Sequence, residues 1–420
     1  MIIIRAISRF VIGVTFILSG FLKAMDPVGG ALKIDEYLKA FHLGFLDFIS
    51  MPFAVLLACM EFLIGVCVLK GIKMRFFSTA SLIFTSFFTL LTLYSAIFNP
   101  VQDCGCFGEA IHLSNWQTFY KNIVLLACAL IICFQRDKFK PIAAHIWEKI
   151  YITAYTSFIF AIITYALIFL PQIDFGQFKP GTDLMAELDS SAQPEYQSTF
   201  IYSKDGIERE FTLENLPDST WNFVETRTII SNGSESDAGT LNFIVRDSQG
   251  QDVTHHIIGT NQPTFLLSIY NPDNLEMRKM ESINRLGDSL AASGALLYLL
   301  NGTSEEIGGA AYPLFQTDYK TAIALNRSNC GITYLNDGII AKKWSANSYP
   351  FTKIGKILSE DAEILTANVI MKEQLFAELC IVIILFMILI VRFISKRVYF
   401  KYLSGKVMET SAEQNGNEQK

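Results

Sequence analysis

The sequence predicts a membrane α-helical bundle of six spans with an α/β domain inserted before the last helix. Three observations predict it. Six apolar segments, near 4–22, 51–69, 76–98, 117–134, 151–170 and 375–394, are long enough to cross about 30 Å of hydrocarbon. Residues 171–374 carry 27 acids and 15 bases, a net charge of −12 within a chain of net −6, so the remainder carries +6. Residues 200–345 show alternating and buried-type strand patterns between turn signals. A chain that is 51% hydrophobic with mean hydropathy +0.34 suits this combination of a membrane module and a water-soluble domain. No basic patch lies on the soluble domain, so nucleic acid is not an expected partner.

The first apolar run opens near residue 2, and no small-residue cleavage site follows it, which reads as a retained anchor. Asp26-Pro27 ends that span, and 31–45 is amphipathic through Leu32, Tyr37, Leu38 and Phe41, as expected for a segment lying on the membrane surface. Positive charge sets the orientation. Arg5 and Arg9, then Lys70, Lys73 and Arg75, then Arg136, Lys138, Lys140 and Lys149, and finally Lys396, Arg397, Lys401 and Lys406 fall on one side if six helices alternate. Both termini are therefore expected in the cytoplasm of a bacterial inner membrane. The 23–50 loop, the 99–116 loop and residues 171–374 are expected in the periplasm. The resulting plan is a four-helix module over 1–135, a cytoplasmic loop and fifth helix over 136–170, a periplasmic domain over 171–374, a sixth helix over 375–394 and a cytoplasmic tail over 395–420.

Within the domain, 171–200 reads as a linker. Strands are expected at Phe200–Tyr202 and Glu210–Leu213 around an Asp205-Gly206 turn, and at Leu241–Val245 and Val253–Ile258. Thr264–Ile269 and Ala295–Leu300 read as buried strands. Leu275–Ala292 reads as an amphipathic helix through Met280, Ile283, Leu286 and Leu290, a second helix is expected near 317–325, and Ile332–Leu335 with Ile339–Ala341 reads as a closing hairpin. Over 262–345 this β-α-β-α-β-β order resembles the thioredoxin fold. Where that fold carries Cys-x-x-Cys after its first central strand, this chain has Tyr270-Asn271-Pro272-Asp273, so the resemblance implies a domain without the usual thiol chemistry.

Five of the eight cysteines, Cys59, Cys67, Cys128, Cys133 and Cys380, lie inside apolar stretches and read as small buried hydrophobes. The exception with evident chemistry is Asp103-Cys104-Gly105-Cys106-Phe107-Gly108. Zinc would need about four ligands, and only Asp103, Glu109 and His112 lie nearby, so no metal is assigned. A structural disulfide between Cys104 and Cys106 closes a very small ring and adds little by loop entropy. A small strained ring suits thiol–disulfide exchange better, with Gly105 supplying the freedom to open and close it. Glu61 lies mid-span, where a carboxyl is costly and marks a functional hypothesis. It is expected to be protonated or paired inside the bundle, with Lys23, Lys121 or Asn122 as partner. Cys59, two residues before it, and Cys330, near the position of the thioredoxin cis-proline, are candidate accessory thiols.

Residues 1–135 resemble the DoxX/MauE-type four-helix membrane family through Gly20-Phe21-Leu22-Lys23-Ala24-Met25-Asp26-Pro27, Glu61 with Gly65, and Cys104-Gly105-Cys106-Phe107-Gly108 followed by Trp116 and Asn122. In the MauE branch the resemblance implies assistance to disulfide formation during methylamine utilisation. In the DoxX branch it implies quinone-linked sulfur oxidation. The expected function is thiol–disulfide exchange with envelope proteins through Cys104 and Cys106, with Glu61, Asp103, His112 and Lys23 in support and a membrane quinone as electron acceptor. The rival from another class is a non-catalytic membrane scaffold with a structural Cys104–Cys106 bond and a protein-binding domain.

Overall fold

A computed structural model describes residues 2–101, 104–139, 145–190, 196–204, 207–212, 222–230, 243–272, 275, 277–303, 305 and 307–386. The expected turn at Asp205-Gly206, the end of the sixth span and the 395–420 tail lie outside the described residues. In the membrane module α1 (Ile2–Met25) leads through Asp26 into α2 (Pro27–Ala40). Proline at the first turn and an Asp26 side chain accepting from the Gly29 amide start α2 where α1 stops. Helices α3 (Ser50–Lys70), α4 (Met74–Phe98), α5 (Asn115–Phe134) and α6 (His145–Ile168) follow, with β1 (Cys106–Glu109) between α4 and α5. A capping box of Ser114 and Gln117 opens α5. Among the described residues five helices are long and apolar enough to cross a membrane, namely Ile3–Met25, Gly44–Lys70, Met74–Phe98, Asn115–Phe134 and Glu148–Ile168. Residues 362–386 are also helical, and Cys380, Phe376 and Ile384 of this helix pack against the bundle core.

Small residues bring α1 and α3 into backbone contact. An added Cβ at Gly20 would lie 2.3 Å from the Phe62 nitrogen and 2.8 Å from the Ala58 carbonyl, and one at Gly65 would lie 2.6 Å from the Ile17 nitrogen. This close approach seats the α3 residue Glu61 against the last turns of α1.

The two ends of the bundle differ. At one end Arg9 donates to the Leu69 carbonyl, Arg5 and Arg9 lie over the Phe139 ring, and Arg75 pairs with Asp137. At the other end lie α2, β1 and the α/β domain, tied to the bundle by an Asn347 side chain donating to the Ile168 carbonyl that closes α6. The basic end and the thiol-loop end are thus opposite, and the α/β domain shares the thiol-loop end.

The domain opens with α7 (Leu184–Ser190) and a three-stranded antiparallel sheet of β2 (Tyr196–Lys204), β3 (Ile207–Thr212) and β4 (Asn222–Ile230), in order β3-β2-β4. The first expected hairpin forms here, with Lys204 opposite Ile207. A six-stranded mixed sheet follows, built from β5 (Val245–Arg246), β6 (Thr264–Ile269), β7 (Leu296–Asn301), β8 (Leu314–Thr317), β9 (Gly331–Asn336) and β10 (Ile339–Trp344), in order β10-β9-β6-β7-β8-β5. β7 runs parallel to β6 and β9 antiparallel to it. Helices α8 (Thr254–Ile258), α9 (Met277–Ala291), α10 (Tyr319–Leu325) and α11 (Ile354–Ser359) complete the domain. β6 is buried on both faces. Phe265, Leu267 and Ile269 meet α9 through Ile283, Leu286 and Leu290, and Leu266 faces the opposite core of Phe178, Leu184, Phe243 and Ile257.

Two expectations are corrected. Val253–Ile258 does not form a strand. Thr254–Ile258 is helix α8, because Asp252 accepts from the Thr254 amide and hydroxyl and starts a helical turn that drops Ile257 and Ile258 into the core. The stretch read as a free linker is also ordered over its first part. Asp183 bridges Ile339, the Gly181 and Leu184 amides donate to the Ile340 and Gly338 carbonyls, and Phe178 and Leu184 are fully buried. Each such side chain contributes about 1.5–3 kcal/mol by burial.

Gly20→Ala is expected to lower the thermal midpoint of the detergent-purified protein, since overpacking a close backbone contact costs about 1–3 kcal/mol. Gly30→Ala, whose new methyl would meet only the Ala54 Cβ at 3.5 Å, should leave the midpoint nearly unchanged. Equal behaviour of the two variants in a thermal scan would contradict this packing.

Candidate functional site

The thiol loop is a tight turn. Gly105 and Gly108 both have φ of +61°, and the Gly108 amide donates to the Gly105 carbonyl at 3.0 Å. A side chain at Gly105 would be strained by that φ and would press on the Lys33 methylenes at 3.0 Å. The turn brings the Cys104 and Cys106 sulfurs to 3.0 Å, close enough to share one thiol proton. A disulfide at about 2.05 Å requires the sulfurs to close by roughly 1 Å.

A charged floor lies beneath Cys106. Ser19 and Lys23 are one helical turn apart on α1 and so point the same way. Lys23 Nζ lies 2.7 Å from both Glu61 carboxylate oxygens, 2.8 Å from the Cys106 carbonyl and 3.0 Å from Ser19 Oγ. Its three N–H donors are thereby used. Glu61 is 4% exposed, and the ammonium compensates its charge at that depth. Of the three sequence candidates for its partner, Lys23 holds the position. Lys121 Nζ lies 4.5 Å above the Phe107 ring instead, and the Asn122 amide donates to Phe88 O and Thr92 Oγ1. A cavity of about 40 Å³ separates these groups, lined by Ser19, Lys23, Glu61, Cys106, Lys121 and Asn122 among others. It has room for water, which needs about 10–15 Å³ of such space per molecule. Organic ligands take pockets of about 300–1,000 Å³, so a quinone ring does not fit here.

The two thiols are electrostatically distinct. The hydrogen bond between the two thiols draws the Cys106 thiol down to about 6, against its own burial and with help from Lys121 and Lys23. Cys104 moves well above the usual thiol range, because of its hydrogen bond with Cys106 and its burial. Tyr37 of α2 stands close enough to Cys104 to interact with it, and its hydroxyl lies 3.3 Å from Ser95 Oγ. Sequence reasoning took Tyr37 only as part of an apolar stripe, and nothing local marks it as a neighbour of a thiol 67 positions away.

Arg327 joins the α/β domain to this site. It follows α10, is 9% exposed, and donates from Nε to Asp26 and from Nη2 to Glu109. Burial opposes its charge, and Asp26, Glu109 and Asp174 outweigh that and hold it firmly protonated. Asp26 caps α2, which carries Tyr37, and Glu109 ends β1, which begins at Cys106. One guanidinium therefore spans both supports of the thiol pair. Lys320 pairs with Glu36 of α2 beside it, at 2.9 Å.

The other sequence candidates sit apart. Cys330 is fully buried in the sheet core, its amide bonded to the Ser268 carbonyl, and burial pushes its thiol up to about 11. Cys59 is partly buried against the bundle core, two residues from Glu61 and so on the opposite side of α3. His112 is exposed, and Asp103 lies outside the described residues.

Residues 1–135 match the family described as methylamine utilisation protein MauE, a stretch that contains α1 to α5 and the whole thiol loop. Residues 196–232, which hold the three-stranded sheet, match a family described as a domain of unknown function (DUF8463). No curated protein and no solved structure matches the chain.

Iodoacetamide should label reduced protein first at Cys106, with a rate half-maximal near pH 6, because the thiolate fraction rises as pH passes that value. Lys121→Met should move the midpoint upward, since it removes a charge that favours the thiolate. Peptide mass mapping across pH reads both, and equal labelling of Cys104 would refute the assignment. Arg327→Met leaves Asp26 and Glu109 without their cation, a change worth about 3–5 kcal/mol for a buried pair. Hydrogen exchange should rise in α2 and β1 while β6 and β7 stay protected.

Proposed function

We propose that this chain is a membrane thiol–disulfide exchange protein in which Cys106 attacks and Cys104 resolves. The observation that carries this is the asymmetric thiol pair, 3.0 Å apart, with Lys23 and Lys121 favouring the thiolate at Cys106. In the exchange, Cys106 thiolate attacks one sulfur of a partner's disulfide and releases the other as a thiolate, which takes up a proton. Cys104 then gives up its proton and attacks the mixed disulfide. The partner leaves with both thiols, and Cys104 and Cys106 are joined. Two electrons move, and the reverse sequence oxidises a partner dithiol. In the exchange itself the electrons pass between the partner's sulfurs and the Cys104–Cys106 pair.

The basic end of the bundle supports a cytoplasmic assignment for that end by the positive-inside rule, and with it a periplasmic thiol loop and α/β domain, in a compartment where disulfides persist. The neighbour order β7-β6-β9-β10, with β7 parallel and β9 antiparallel to the central strand, supports a thioredoxin-like reading of the domain. Cysteine is absent where that fold carries its reactive pair, and the loop holding Arg327 and Cys330 faces the membrane thiols instead. The domain is then a platform for the site and for its partner. The match to the MauE family, linked to maturation of methylamine dehydrogenase, supports a cysteine-bearing envelope protein as that partner.

Cys104→Ser keeps a hydroxyl beside Cys106 and removes the resolving sulfur, so it should accumulate mixed disulfides with envelope proteins. Cys106→Ser should accumulate none. Non-reducing electrophoresis of acid-quenched cells with mass spectrometry of the adducts reads the difference, and a scaffold with a structural bond would give no adducts in either variant.

A further inference from the structure

A second built feature lies at the foot of the α/β domain, away from the thiols. Lys342 of β10, Lys353 and Lys356 around the start of α11, and Lys372 of the 362–386 helix line a cavity of about 310 Å³ together with Trp344 and Glu360. The surrounding region is acidic overall, yet four cations and one carboxylate converge here. None of the four ammonium groups has an ion pair or hydrogen bond among the described residues. Lys343, next to Lys342, is by contrast paired with Asp174 at 2.7 Å. Glu360 is itself engaged by the Asn368 amide at 3.4 Å. Lys342 is half-buried with its Nζ 5.1 Å above the Trp344 ring, and burial, Lys372 and Lys353 together disfavour its charge more than Glu360 favours it. Lys342 is the half-buried member of a group in which four cations face one carboxylate, and an anion among them relieves the mutual repulsion.

The cavity has a definite level relative to the membrane. Lys372 precedes by three residues the apolar run that begins at Leu375. Beyond it Leu375, Leu379, Val382 and Phe386 are exposed on the helix surface, while Cys380 turns into the bundle. A lipid lying along that outward face carries its phosphate at the height of the four lysines. Ile357, Leu365 and Val369 add apolar wall for the glycerol and upper chain.

We infer that this lysine-lined cavity binds the phosphate of an anionic phospholipid headgroup and anchors the α/β domain to the membrane surface. Zwitterionic lipids offer the same phosphate with an ammonium that the lysines repel, so selectivity for net negative lipid follows.

The full-length protein purified in neutral detergent tests this by thermal unfolding, with phosphatidylglycerol, phosphatidylcholine or inorganic phosphate added in turn, and by native mass spectrometry of retained lipid. Phosphatidylglycerol should raise the midpoint and remain bound, and the other two should not. Lys353→Gln with Lys372→Gln, both exposed positions, should weaken phosphatidylglycerol binding about tenfold or more, and the paired Lys→Arg variant should restore it. Equal effects of phosphatidylglycerol and phosphatidylcholine, or unchanged binding in the Gln variant, would overturn the inference. Stabilisation by inorganic phosphate as strong as that by phosphatidylglycerol would show a free-phosphate site and overturn the lipid assignment. If the Gln variant is unstable without lipid, the Arg variant decides: lost lipid selectivity there also overturns it.

Discussion

A carboxylate inside an apolar helix bundle is tolerable only where a cation touches it. Glu61 meets that requirement through Lys23, and the contact exists because Gly20 and Gly65 let α1 and α3 approach to backbone distance. Almost everything at the thiol site hangs from this pair. Lys23 reaches past Glu61 to the Cys106 carbonyl, so the ion pair also sets the height of the loop above the bundle. It brings a positive charge close enough to Cys106 to favour its thiolate. The same lysine thus neutralises one buried anion and helps create another.

The α/β domain uses the same device at a larger scale. Arg327 is a buried cation from one module placed between two acids of the other, and those acids sit on the elements that present Tyr37 and Cys106. Removing the guanidinium would leave uncompensated charge on both sides, so the docking geometry is specified by more than shape. The lysine cavity near Lys372 is the converse case. There the cations are gathered and no acid answers all of them, and the proposed phospholipid fills the deficit from outside the chain.

Under the proposed function, the thiol chemistry belongs to the Cys104-Gly105-Cys106 loop. Other cysteines are screened by their surroundings: Cys330 by the sheet core, Cys67 and Cys380 by the bundle. The position where a thioredoxin-like domain would carry reactive cysteines is instead shaped by Asn329, whose side chain accepts from the Tyr270 and Asn271 amides, and by the Tyr270 hydroxyl donating to the Arg327 carbonyl. Under the proposed function, that end of the domain contributes position and the membrane loop contributes reactivity.

The amino-acid sequence by itself determined the first five apolar spans, the buried strands β6 and β7, the amphipathic helix α9 and the closing hairpin, because each is a local period of hydrophobicity readable over a few turns or strand residues. It also marked Cys104, Cys106 and Glu61, whose chemistry is conspicuous in an apolar setting. It misjudged Thr254–Ile258, where a side-chain cap overrode an alternating pattern, and the 171–184 stretch, whose order comes from docking on β10. Only the tertiary structure decided that Lys23 rather than Lys121 answers Glu61, that Tyr37 stands beside Cys104, and that Arg327 reaches Asp26 from 301 positions away. Those choices depend on distances between segments remote in the chain. An electrostatic contact of a few ångströms is set by how helices pack, and no local pattern encodes it.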